Sequence, residues 1–254
     1  MKQRLNVRTL FISDVHLGCK YCKADELLHF MRGIQPETLY IVGDFIDGWK
    51  MKKRFYWNDT YSFIIRRIIG MMKSGTKVKY VAGNHDEFLR IFLPNHFNLG
   101  HLEILDEDIH VTADGRRLLV IHGDMFDQFT KHAKWLYYLG DTAYSLAMWL
   151  NTVYNRIRRR LGKPYWSLSA ILKQNVKKAV NFVNSFECFV ARHTKELGCC
   201  GVVCGHIHTP SIKKFDNIDY YNCGDWVESC TAIIEHFDGR IELIQGAEIK
   251  HDDH

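Results

Sequence analysis

The sequence predicts an α/β sandwich, because short apolar runs of strand length alternate with amphipathic stretches along much of its 254 residues. Two further observations refine this. Five of the runs end in the same way, on His, Asp or Asn. One long segment, from about Phe129 to about Leu197, breaks the rhythm and carries no strand pattern.

The elements follow in order. Leu10-Phe11-Ile12 is the first run and leads to Asp14-Val15-His16. Leu39-Tyr40-Ile41-Val42 leads to Gly43-Asp44. In Phe63-Ile64-Ile65-Arg66-Arg67-Ile68-Ile69 the apolar pairs recur at helical spacing, and Gly75 supplies a stop. Val78-Lys79-Tyr80-Val81 leads to Gly83-Asn84-His85-Asp86, and Leu118-Leu119-Val120-Ile121 to His122-Gly123-Asp124. Val202-Val203-Cys204 ends in Gly205-His206-Ile207-His208. The intervening segment is aromatic and basic, with Trp135, Tyr137, Tyr138 and Trp149 followed by Arg156, Arg158, Arg159 and Arg160. It reads as a helical insertion over the core. The expected organisation is therefore a core of residues 1–128 and 198–254, with residues 129–197 as a helical cap.

At 46% hydrophobic the chain is long enough to fill the core of one large domain. The formal net charge of +5 fits an anionic substrate or an acidic membrane surface and does not require nucleic acid. No apolar run approaches the ~20 residues of a membrane-spanning helix. The N-terminal residues lack the apolar region and cleavage site of a secretion signal, so the expected location is cytoplasmic. The eight cysteines are scattered rather than concentrated, which predicts reduced thiols. Cys19-Lys20-Tyr21-Cys22 is a CxxC with no second pair to complete a zinc ribbon.

The chemistry lies at the ends of the runs. Open α/β sheets place their sites at the C-terminal ends of strands. Imidazole and carboxylate together suit Mn, Fe or Zn, whereas an all-oxygen set suits Mg or Ca. Asp14 with His16, and His206 with His208, alternate along extended segments, so each pair can reach one cluster. Glycines before Asp44, Asn84 and His206, and after His122, permit sharp turns and close backbone approach. A lone His or Asp at a strand end is usually structural. Five in order are not.

The motifs Asp-x-His, Gly-Asp-x-x-Asp, Gly-Asn-His-Asp, His-Gly-Asp and Gly-His-x-His resemble those of the calcineurin-like metallophosphoesterases. The resemblance runs from Asp14 to about His208 and implies a metallophosphoesterase β-sandwich flanked by helices. It also implies a pair of divalent ions, with Mn the first expectation and Fe or Zn the others. One ion takes Asp14, His16, Asp44 and His208, and the second takes Asp44, Asn84, His122 and His206. By the same resemblance Asn84 holds phosphate oxygens and His206 also contacts substrate. His85 donates to the leaving oxygen, Asp86 fixes its tautomer, and Asp47 and Asp124 orient the ligands.

Within the family the chain is most similar to the bacterial UDP-diacylglucosamine pyrophosphohydrolases of lipid A synthesis. Gly43-Asp44-Phe45-Ile46-Asp47-Gly48-Trp49, the helical insertion, and Asn175 and Lys178 within it carry that likeness. Asn175 and Lys178, three apart on one helical face, are the expected substrate-phosphate contacts. Aromatic residues of the cap would line a groove for acyl chains, and its arginines would meet an anionic inner-membrane surface. Two positions depart from that group: His85 stands where its members carry Arg, and Asp47 where they carry Glu. A phosphodiesterase or phosphatase acting on another nucleotide, nucleic acid or phospholipid is the first alternative. A non-catalytic binding module is the second, but such a chain would have lost ligands that are all present here.

Overall fold

The computed structural model describes residues 4–95, 100–126 and 183–248. Among these, eleven strands form two sheets. The strands are β1 (Leu5–Ile12), β2 (Ile34–Val42), β3 (Lys77–Val81), β4 (Leu102–Leu105), β5 (Glu107–Val111) and β6 (Arg117–Ile121), then β7 (Gly201–Cys204), β8 (Ser211–Phe215), β9 (Ile218–Asn222), β10 (Thr231–Glu235) and β11 (Ile241–Gln245). The helices are α1 (Ala24–Gly33), α2 (Gly48–Lys53), α3 (Asp59–Lys73) and α4 over residues 183–196. The five runs read as strands from the sequence lie in β1, β2, β3, β6 and β7, and the amphipathic stretch lies in α3.

The first sheet has the order β11-β10-β1-β2-β3-β4, with β1 to β4 mutually parallel and β10 antiparallel to β1. The second has the order β5-β6-β7-β9-β8, with β6, β7 and β9 parallel. Parallel strands are covered on both faces, which explains why they read as continuous apolar runs rather than as alternating ones. Alternate residues divide between two cores. Leu10, Ile12, Leu39, Ile41 and Val78 pack against α1 and α3, which contribute Leu27, Phe30, Met31, Tyr61, Ile64 and Ile68. Phe11, Tyr40, Val42, Val81 and Ile233 face the second sheet and meet Leu118, Val120, Val203 and Tyr221. Each fully buried Leu, Ile or Phe contributes about 1.5–3 kcal/mol to this packing.

α3 shows why a sequence of this kind forms a helix here. Tyr61, Ile64, Ile68 and Met71 recur at i, i+3, i+7 and i+10 and are its buried face. The Asn58 side chain caps its start by accepting from the Tyr61 N–H at 3.0 Å. Past its end, Gly75 takes a φ of +97°, as the sequence stop implied.

The chain divides into two units, Met1–Asp124 with Val190–His254, and Met125–Phe189. Both sheets belong to the first. Most of the segment read as a cap, including Arg156, Arg158, Arg159, Arg160, Asn175 and Lys178, lies outside the described residues. Among the described residues no helix is long and apolar enough to cross a membrane.

Candidate metal centre

The parallel strands of both sheets end at one place. After β1 and β2 the chain keeps pairing: the N–H groups of Asp14, His16 and Leu17 donate to the carbonyls of Gly43, Asp44 and Phe45 at 3.2, 2.8 and 2.8 Å. From the second sheet, the Gly205 N–H donates to the His122 carbonyl at 3.2 Å. These bonds pair the loop after β1 with that after β2 and the loop after β6 with that after β7, and the His206 N–H, donating to Asp14 Oδ2 at 2.8 Å, joins the two pairs.

The local backbone is unusual in a specific way. Asp14, His16, Asp44, His206 and His208 all have φ between +51° and +70°. Non-glycine residues rarely take this conformation, and Asp, Asn and His tolerate it best. Such strain costs about 1–3 kcal/mol per residue and is found where function requires it. Five of the residues expected to bind metal are therefore held in strained turns. Gly43, with φ +75°, sits where an added Cβ would strike the His122 ring, and one at Gly205 would strike Asp14 and Ser13. Close approach explains both glycines.

Three groups of side chains converge. In each, one donor atom per residue lies within 4.8 Å of the others: Asp14, His16 and His208; Asp44, His122 and His206; and His16, Asp47 and His85. Asp44 Oδ2 lies between them, 3.4 Å from His122 Nε2 and 3.9 Å from both His16 Nε2 and His85 Nε2. Asp44 is aimed by its other oxygen, which accepts the His85 N–H at 2.8 Å. Asp14 is aimed likewise: Oδ2 accepts from Ser13 Oγ at 2.5 Å and the His206 N–H at 2.8 Å, leaving Oδ1 3.2 Å from His208 Nε2. The His122 Nδ1 donates to the Val42 carbonyl at 3.0 Å, so Nε2 is the nitrogen that faces Asp44 and, at 3.2 Å, His206 Nδ1. Asn84 sits between Gly83 and His85, both of which abut Asp44.

Electrostatics and satisfaction point the same way. Asp14 Oδ1, His16 Nε2 and Asn84 Oδ1 are buried and make no hydrogen bond of proper geometry among the described residues. A buried polar atom left unpaired costs free energy unless something else meets it. Burial pushes Asp14 and Asp44 upward, but the imidazoles of His208 and His122 outweigh it and hold both carboxyls well below the usual range. The reverse holds for the rings. Burial lowers His208, yet Asp14 and Asp225 carry it up to about 9, and Asp44 carries His122 well above the ordinary imidazole value. The site's oxygen and nitrogen donor set fits a divalent transition ion.

One expected role is corrected. Asp86 does not reach the His85 ring: its carboxylate accepts from the Gly83 N–H at 2.6 Å, the Phe45 N–H at 2.9 Å and the Tyr80 hydroxyl at 2.6 Å. It fastens the loop after β3 to the loop after β2. Asp47 holds the ring instead, with Oδ1 3.0 Å from His85 Nδ1 and Oδ2 3.5 Å from His16 Nδ1. Asp47 also caps α2 by accepting from the Lys50 N–H at 2.9 Å. Asp124 pairs with Arg90 Nη2 at 2.9 Å and adds its charge to the field at His122. We therefore expect Asp86→Ala to lower stability by about 3 kcal/mol, since three donors lose a buried acceptor. Urea unfolding checks this, and a loss under 1 kcal/mol would refute it.

One participant escaped the sequence reading. Asp225, 1% exposed, lies 3.9 Å from His208 Nδ1 through Oδ2, while Oδ1 accepts from the Val227 and Glu228 N–H groups. The signal was present: Tyr220-Tyr221 leads to Gly224-Asp225, as Tyr40-Ile41-Val42 leads to Gly43-Asp44.

Paired sheets whose strand ends gather imidazoles and carboxylates define a metal-dependent hydrolase. The chain belongs to the calcineurin-like phosphoesterases, whose sequence profile matches residues 7–210. That family implies divalent metal ions. The UDP-2,3-diacylglucosamine hydrolase of Aliivibrio fischeri (strain MJ11) is 28% identical over 241 residues, covering 90% of this chain and 94% of that protein. The enzyme of the same name from Haemophilus influenzae (strain PittGG) is 24% identical, covering 89% and 93%. In fold, the chain is similar to a hypothetical protein of Pyrococcus horikoshii OT3, with a TM-score of 0.50 at 11% identity, covering 95% of this chain and 88% of that one.

Proposed function

We propose that the chain is a dinuclear phosphoesterase that cleaves the pyrophosphate bond of a nucleotide-linked lipid such as UDP-2,3-diacylglucosamine. The observation that carries the dinuclear reading is the position of Asp44 Oδ2 between the two donor groups. Asp14, His16, Asp44 and His208 would hold one ion, and Asp44, Asn84, His122 and His206 the other, with Mn favoured over Fe or Zn. When bound, the ions neutralise phosphate charge and acidify water. The chain's own groups do the rest. Asn84 and His206 contact phosphate oxygens. Asp47 accepts the Nδ1 proton of His85, so Nε2 is the atom that meets the leaving oxygen. Asn175 and Lys178 would grip the substrate phosphates.

The substrate class is supported by the names of relatives that align over about nine tenths of this chain. A lipid substrate brings the protein to a membrane from the cytoplasmic side. Residues 48–58 support that contact, with Lys50, Lys52, Lys53 and Arg54, no acidic residue, and Phe55 70% exposed. A second reading rests on His85 itself. A nucleoside monophosphate leaves readily without a proton, whereas an alkoxide does not. An imidazole held by Asp47 therefore favours a phosphodiester or monoester with an alcohol leaving group.

Release of UMP from UDP-2,3-diacylglucosamine by the Mn-loaded protein separates the readings. We expect kcat/KM on that lipid to exceed that on bis(p-nitrophenyl) phosphate by at least about 10²-fold, because remote binding energy is used only by the true substrate. Equal rates would sink the lipid assignment while leaving the metal centre standing. A metal-free, inactive protein would sink both.

A further inference from the structure

The mechanism above leaves Trp49 unused, yet its indole lies on the proposed acid. The Trp49 and His85 ring centroids are 4.3 Å apart at 33°, while the His16 ring meets His85 edge-on at 4.6 Å. Asp47 holds the Nδ1 edge at 3.0 Å. His85 is thus bounded by a carboxylate, an imidazole and an indole, and its Nε2 is left toward Asp44 Oδ2 at 3.9 Å. The indole is itself fixed. Its Nε1 donates to Glu87 Oε1 at 3.4 Å, and the adjoining Gly48 N–H donates to the His85 carbonyl at 3.0 Å. Gly48 has no room for a side chain against that carbonyl, which lets the start of α2 approach closely enough for Trp49 to reach the ring.

A single hydrogen bond at Nδ1 leaves the imidazole free to swing about the bond it makes with Asp47. A flat group against the ring face removes that freedom. We infer that Trp49 is a positioning residue that acts through His85, setting the direction of Nε2 toward the leaving oxygen. At 40% exposure Trp49 could instead be a platform for substrate, and the two roles separate kinetically. The inference rests on His85 being the acid.

The test compares Trp49→Leu, Trp49→Phe and His85→Asn, with the double variant, in the metal-loaded protein. Two substrates are used: bis(p-nitrophenyl) phosphate, whose leaving group needs little protonation, and a dialkyl phosphodiester, whose leaving group needs it. Trp49→Leu should lower kcat on the dialkyl ester about tenfold and on the aryl ester less than about threefold, with KM within about twofold and metal content unchanged. Trp49→Phe should restore most of the loss. In the His85→Asn background Trp49→Leu should add nothing. Equal losses on both esters, a change confined to KM, or full additivity with His85→Asn would overturn the inference. If His85→Asn alone shows no leaving-group dependence, it is the acid assignment that fails.

Discussion

Asp44→Ala is expected to abolish turnover, by roughly 10³-fold or more, and to empty both metal positions together. The expectation comes from geometry. Asp44 Oδ2 lies 3.4 Å from His122 Nε2, and it is equally distant, at 3.9 Å, from His16 Nε2 and His85 Nε2. The charge and the acceptor can be separated experimentally, because Oδ1 has a different partner, the His85 N–H. Asp44→Asn keeps an acceptor for that N–H while removing the charge. It should fold like the parent and still lose metal and activity. Metal content by mass spectrometry, set beside turnover, decides the matter. A variant that retained one ion and a substantial rate would show that Asp44 serves a single position.

That centre was legible because its donors follow strands, and strands announce themselves as apolar runs. Five of the six parallel strands that feed the site ended in motifs that could be read directly. The sixth, β9, was hidden by its polar flanks: Asp219 and Asn222 interrupt Tyr220-Tyr221, so the run is short. β8, β10 and β11 pair antiparallel and end in none of the donor residues of the site, so their sequences carry no chemical mark. α1 is amphipathic, with Leu27, Phe30 and Met31 buried, but its N-terminus lacks a capping side chain to mark it. The exchange between Asp47 and Asp86 has a different cause. Both carboxylates are close to the site in sequence, and Asp86 adjoins His85. Side-chain direction in a turn does not follow from spacing. Asp86 points back to the Gly83 and Phe45 N–H groups, and Asp47 reaches across to His85 from the start of α2.

The pH dependence of metal binding follows from the same charges. An ion needs the lone pair of each imidazole it takes. In the metal-free protein His208 is pushed up to about 9 by Asp14 and Asp225 against the effect of burial, and His122 is held well above its ordinary value by Asp44. On the proposed assignment each ion therefore displaces one proton at neutral pH. Affinity for the ion held by His208 should fall about tenfold per pH unit below pH 9 and level off above it, and affinity for the ion held by His122 should likewise fall with pH from above the ordinary imidazole range. Calorimetric titration in buffers of different ionisation enthalpy counts those protons directly. Stability of the metal-free protein must run the opposite way. A group whose folded pKa is raised stabilises the fold fully below its unfolded value near 6.5 and loses that contribution as pH rises through its folded value. The metal-free protein should accordingly melt at lower temperature at pH 9.5 than at pH 6.5, while saturating Mn should protect it more at the higher pH. Parallel melting curves with and without metal would mean that these two rings are not ligands. The crossing arises because protons and ions compete for the lone pairs of the same two imidazoles.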